Sequence, residues 1–196
     1  MAGAASKSLD RVLPAADSDA GQFLARVRAR RQWLPELGLP EFTDDELREV
    51  LPWLCAGRRS LDELRQADWL SALKHGLTPP QVQAVLREAP ERLLVPSGNR
   101  ISLQYEPGRP PVLAVRIQEI FGWRDTPRIA GGRVRVLLHL LGPNYRPQQV
   151  TDDLASFWSN GYQIIRKELK RRYPKHSWPE DPWTATAESR PKRKPS

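Results

Sequence analysis

The sequence predicts an α+β protein: a helical subdomain, then a small mixed sheet closed by a basic C-terminal helix and a flexible tail. Three observations carry this. Between about residues 21 and 90, side chains able to cap a helix recur ahead of apolar residues at helical spacing. From Pro90 to about residue 150 the pattern becomes short alternating runs around glycine-containing turns. After Thr151 helical spacing returns and the charge turns strongly positive. Short strands with glycine turns also suit an OB-like barrel over residues 91–150, although the broken alternation does not require one.

The first nineteen residues are rich in Ala, Ser and Asp without periodicity, and read as a flexible leader, 1–19. A helix is expected from Gly21 to Leu37, burying Phe23, Leu24, Val27, Trp33, Leu34 and Leu37. Arg26, Arg28, Arg30 and Arg31 would form its solvated face. Thr43-Asp44-Asp45-Glu46 has the spacing of a capping box and Ser60-Leu61-Asp62-Glu63 repeats it, while Asp68 can cap the segment from Trp69. Thr78-Pro79-Pro80-Gln81 opens another helix with proline in the first turn, where its missing N–H costs nothing. These elements make a helical subdomain over 20–90.

Domain 91–183 begins with a hairpin, Arg92–Val95 and Arg100–Tyr105 around Pro96-Ser97-Gly98-Asn99. Val112–Phe121 reads as a short strand followed by a helix. Arg128–Ala130 and Val134–Leu141 flank Gly131-Gly132 as a second hairpin. Thr151 is the expected N-cap of the last helical region, with Asp152 and Asp153 in its first turn and a break at Gly161. The proline-rich stretch after Pro174 leads to a disordered basic tail, 184–196.

Composition narrows the function. The 196 residues hold 31 Lys and Arg against 23 Asp and Glu, a net charge of +8, of which +6 lies in residues 161–196. So concentrated a positive field attracts polyanions, most often nucleic acid, although a solubilising tail has the same composition. No run approaches the roughly 20 apolar residues of a membrane span, so membrane insertion is not expected. Cys55, the one cysteine, has no partner for an intrachain disulfide, and with no secretory signal pattern the expected location is cytoplasmic.

Catalytic patterns are weak. His75, His139 and His176 fall on unlike elements, and no spacing suggests a metal site. His139 alternates within an apolar strand and reads as a packed histidine, which leaves a hydrolase built on it a remote third option. Asp152-Asp153 is explained by helix initiation. No phosphate-binding loop is present, so no catalytic residue and no cofactor site is assigned. The best binding candidate is the stretch Tyr162–Lys175. Tyr162, Ile165 and Leu169 share one helical face, and Arg166, Lys167, Lys170 and Arg171 form a neighbouring basic arc, with Arg172 and Lys175 beyond. Such a helix can pack by one side and track phosphates by another. Tyr173 and Trp178 are candidate stacking partners for unpaired bases, although large aromatics more often pack. Arg133, in the Gly131-Gly132-Arg133 turn, and Arg146, in the Tyr145-Arg146 loop, are weaker candidates.

A family resemblance rests on ordered motifs. Val95-Pro96-Ser97-Gly98-Asn99-Arg100-Ile101, Leu113–Gly122 and Thr126-Pro127-Arg128-Ile129-Ala130-Gly131-Gly132-Arg133-Val134 are followed by Leu138–Pro143, Arg146–Leu154 with Phe157-Trp158, Arg166–Leu169 and Arg172–Pro182. Together they resemble the C-terminal region of HrpB-type enzymes, bacterial ATP-dependent helicases of the DEAH-box class. The resemblance implies two motor domains upstream, holding ATP and Mg, and a C-terminal part beside them that helps form the nucleic-acid path. No motor motif has matching positions in this sequence. The chain is therefore expected to be either a separated C-terminal portion or a stand-alone accessory protein, and not catalytic by itself. Its expected partners are single-stranded RNA or DNA, with RNA favoured by the family analogy alone, and helicase motor domains in cis or in trans. The alternative from another class is a protein-interaction or scaffold module whose basic tail is only solubilising.

Overall fold

The computed structural model describes residues 9–189. The chain divides into two compact units, Met1–Ala89 with Tyr105–Arg109, and Pro90–Gln104 with Pro110–Ser196.

The first unit is helical. It comprises α1 (Leu9–Val12), α2 (Asp19–Trp33), a 3-10 turn (Pro35–Leu37), α3 (Asp44–Leu54), α4 (Leu61–Arg65), α5 (Trp69–His75) and α6 (Pro79–Glu88). The expected caps form. Thr43 and Glu46 make a reciprocal box at α3, and Thr78 with Gln81 does the same at α6. The Ser60 hydroxyl accepts from Glu63 N at 3.1 Å, and Asp68 accepts from Ser71 N at 3.0 Å. Each such cap satisfies a backbone N–H that the helix itself cannot pair. The core gathers Phe23, Val27, Leu47, Leu51, Leu64, Leu73 and Val85 around Trp69, whose indole N–H donates to Leu64 O at 3.0 Å.

Two expectations change in this unit. The leader is structured in its second half: Leu9 and Val12 of α1 are buried in the helical core, because two apolar residues at i and i+3 share one face. Of the α2 arginines expected to form a solvated face, Arg31 is exposed but Arg26 and Arg30 are not. Arg26 is buried with its Nε donating to Ala89 O at 2.6 Å, and Arg30 is wholly buried. Among the described residues no hydrogen bond reaches any of the three Arg30 guanidinium nitrogens, and burial pulls its pKa down while Glu88 opposes that shift. Arg28 and Arg31 are turned to local carbonyls, of Phe42 at 2.6 Å and Leu39 at 2.9 Å. Cys55 is half-buried at the C-cap of α3.

The second unit is built on a five-stranded sheet ordered β1-β2-β3-β6-β7. Its strands are β1 (Arg92–Leu94), β2 (Arg100–Gln104), β3 (Val112–Arg116), β6 (Leu137–Leu141) and β7 (Pro147–Thr151). A separate ribbon pairs β4 (Arg128–Ile129) with β5 (Val134–Arg135). The β1–β2 hairpin forms as expected, with Leu94 opposite Arg100 across a turn in which Gly98 adopts φ +86°. After β3 the chain makes a 3-10 turn, Ile117–Glu119, and crosses over through the β4–β5 ribbon to reach β6, which pairs parallel to β3. Leu103, Leu113, Val115, Leu138 and Leu140 fill the buried face, and His139 lies half-buried on the other. The sheet is open, with β1 and β7 as its edges, so the OB-like closure does not form. The parallel β3–β6 pairing spends β6 in the middle of the sheet and leaves β7 with one neighbour.

The last helical region comprises α7 (Leu154–Ser156), one π-type turn (Phe157–Gly161) and α8 (Tyr162–Arg172). Its N-cap is Asp153, which accepts from Ser156 N at 2.9 Å. Thr151 sits two residues earlier and instead accepts from Asp153 N at 3.0 Å. Beyond α8 the described residues form no regular element, but the chain is tied down as far as Ser189. Gly122 N donates to Pro182 O at 2.9 Å, Glu188 N donates to Gln118 O at 2.8 Å, and Arg116 donates to Ser189 O. The predicted tail over 184–196 is thus corrected for 184–189, because backbone groups of the 3-10 turn need partners and find them there. Positions 190–196 lie outside the described residues, as do positions 1–8 of the predicted leader.

Candidate nucleic-acid interface

α8 is held by an aromatic anchor. The rings of Phe121, Phe157, Trp158 and Tyr162 pack with centroids 5.0 to 6.3 Å apart, mostly tilted or edge-to-face. Trp158 Nε1 donates to Trp123 O at 2.8 Å, and the Tyr162 hydroxyl donates to Pro179 O at 2.9 Å. Burial pushes the Tyr162 phenol well above its ordinary range, so it stays a neutral donor. Gly161 is required by this packing: a Cβ there would lie 2.9 Å from Cδ2 of Phe157.

The segment after α8 folds back along the same helix face. Gln163 Nε2 donates to Glu180 O at 2.8 Å, and Arg166 Nε donates to Trp178 O at 3.0 Å. Arg166 also pairs with Glu180 at 3.2 Å, and its side chain is only 13% exposed. Two predicted site residues are therefore corrected. Arg166 is a clasp between helix and returning chain, since its guanidinium donates to the Trp178 carbonyl and pairs with the Glu180 carboxylate. Trp178 is buried, with its indole N–H donating to Tyr173 O at 2.9 Å, so its ring faces are packed against the protein.

The remaining cations stay outside. Lys167, Lys170, Arg171, Arg172 and Lys175 are exposed. At about 100° per residue Lys170, Lys167 and Arg171 fall on one continuous arc, away from buried Tyr162 and Leu169. Arg172 lies toward the other side, with its guanidinium 5.7 Å from the Tyr173 ring centroid. Tyr173 is half-buried and edge-on to His176. Arg133 on the β4–β5 turn and Arg146 on the β6–β7 loop are exposed and belong to other elements.

Two residues were not singled out by the sequence. Among the described residues Ile164 is the most exposed large apolar side chain, at 76%, and it borders the cationic arc. Its signal was available, because placing Ile165 inward with Leu169 leaves Ile164 outward. Tyr145, at 66%, projects from the β6–β7 loop with φ +62° and carries the Arg116 guanidinium 5.2 Å from its ring centroid. No pattern of the sequence predicts that pairing. Among the described residues no group of three or more His, Cys, Asp or Glu side chains could hold a metal ion. No helix among them is long and apolar enough to cross a membrane.

Residues 50–182 match the family described as ATP-dependent helicase C-terminal, of the HrpB type. This chain belongs to that family. It is 41% identical over 180 residues to the ATP-dependent RNA helicase HrpB of Escherichia coli K12, covering 90% of this chain and 22% of the relative. Two solved structures agree. The crystal structure of the E. coli DExH-box NTPase HrpB matches at a TM-score of 0.86 and 38% identity, over 95% of this chain and 24% of that one. The crystal structure of the E. coli DEAH/RHA helicase HrpB matches at 0.72 and 37%, over 91% and 23%. This HrpB-type chain therefore spans less than a quarter of the length of the relatives it matches.

Proposed function

We propose that this chain is the nucleic-acid-binding and motor-docking C-terminal part of an HrpB-type ATP-dependent helicase, and that single-stranded RNA is the polymer it meets. The observation that carries the reading is the exposed arc of Lys170, Lys167 and Arg171 on a helix whose adjoining face is clasped by the returning chain. A rigid row of cations meets successive phosphates at little ordering cost and reads no sequence. Arg172 and Lys175 extend the row, Ile164 offers an apolar edge, and Tyr173 keeps part of its ring open for a base. The choice of RNA follows the name of the E. coli relative. Arg133 and Arg146 are secondary phosphate contacts in this reading. No catalytic step is assigned to the chain, and its second partner is the motor portion of such an enzyme, in cis or in trans.

The test is a fluorescence-anisotropy titration of labelled single-stranded RNA at about 50 and 200 mM salt. Binding should weaken steeply with salt, and Lys167→Ala/Lys170→Ala/Arg171→Ala together should lower the slope of log K against log salt by about 2. No binding at the lower salt, or an unchanged slope, would reject the cationic arc and favour a protein-docking module.

A further inference from the structure

The helical unit carries an aromatic pocket of opposite electrostatic sign. Trp53, on the last turn of α3, is 59% exposed, and its indole lies parallel to the His75 imidazole of α5, with 8° between planes and centroids 6.3 Å apart. The two rings border a cavity of about 380 Å³ whose apolar floor includes Phe42 and Val50. Phe42 is fixed there: its backbone is held at φ +50° while its carbonyl accepts from Arg28 at 2.6 Å.

The rim is acidic. Glu46 is committed to the α3 cap, where one carboxylate oxygen accepts from Thr43 N at 2.7 Å. Glu49 lies one helical turn before Trp53, is exposed, and makes no hydrogen bond or ion pair among the described residues. Arg48, the adjacent cation, is turned to Asp45 at 2.7 Å. On a chain of net charge +8 this is a local negative site. An indole face is itself negative at its centre, so ring and carboxylate attract the same kind of charge, and both repel phosphate.

We infer that this pocket docks a protein segment that presents an arginine or lysine beside an apolar residue. The cation would lie between the Trp53 face and Glu49, and the apolar neighbour on the floor of Phe42 and Val50. The site is separate from the nucleic-acid reading of α8 and does not depend on it.

Heteronuclear NMR of the full chain tests this through the Trp53 indole N–H resonance, assigned by its loss in Trp53→Ala with the other indole resonances unmoved. The probes are blocked Leu-Arg-Leu and Leu-Gln-Leu tripeptides, and a ten-nucleotide uridine oligomer. The arginine peptide should shift that resonance saturably in the millimolar range or below, about tenfold more tightly than the glutamine peptide, and Glu49→Gln should weaken it severalfold. Equal binding of the two peptides, no shift by about 10 mM, or indifference to Glu49→Gln would overturn the proposal. A response to the oligomer alone would overturn it too, and make Trp53 a base-stacking surface.

Discussion

Gly161 stands where the Phe157 ring lies against the backbone, and its φ of −67° is ordinary for a helix, so only space forbids a side chain. Gly161→Ala gains about 1 kcal/mol of helix propensity but must move a ring carbon 2.9 Å from the new Cβ, at a cost of about 1–3 kcal/mol. The expected balance is a loss of about 1 kcal/mol, read as a lower urea midpoint. Arg30 is the opposite case: a buried guanidinium without hydrogen bonds is replaceable by an apolar chain of similar length. Arg30→Met should leave stability unchanged or raise it by about 1–4 kcal/mol, and a clear fall in the denaturation midpoint would contradict this. His176 has its pKa held below 6.5, first by burial and then by Arg116, with Glu188 opposing. The unfolded chain then takes up a proton that the folded one resists. Stability should be full above pH 6.5 and decline as pH falls below it, and His176→Gln should flatten that slope in thermal melts at a series of pH values.

Under the proposed function α8 divides its cations between two tasks, and the division can be measured. Arg166→Ala removes the clasp on Trp178 and Glu180, so it should lower stability by about 1–3 kcal/mol and leave the salt dependence of RNA binding almost unchanged. Lys170→Ala should do the reverse: unchanged stability, and a salt slope reduced by about 0.7. Chemical denaturation and anisotropy on the same two variants check both. This division marks what was legible in the sequence. Caps at Thr43, Ser60, Asp68 and Thr78 were readable because donor and acceptor lie three residues apart. The β1–β2 hairpin and the glycine turn before Val134 were readable for the same local reason. Arg26 and Arg166 were misread because their partners, Ala89 and Trp178, are 63 and 12 residues away, and helical spacing cannot see a carbonyl supplied by another segment. The pairing of Trp53 with His75 escaped notice likewise, since their parallel rings belong to two helices.

At the scale of the whole molecule, the sheet unit depends on residues beyond its last helix. Trp178 is buried, and the segment to Ser189 supplies partners to Tyr162, Gln163, Arg166, Gly122 and Gln118. A chain ended at Pro174 should lose at least about 3 kcal/mol, the usual cost of deleting a buried tryptophan, and show it in a denaturation curve or fail to fold. The helical unit borrows in the same way: Gln22 accepts from Tyr105 N at 3.0 Å, and Trp33 packs near the Tyr105 ring at 6.3 Å. Tyr105–Arg109 lies between two strands of the sheet yet belongs with the helices. Neither unit is thus a contiguous stretch of the gene, and no single cut releases either one intact. Recombination could not trade them as cassettes, so helices and sheet must be inherited, and engineered, as one piece.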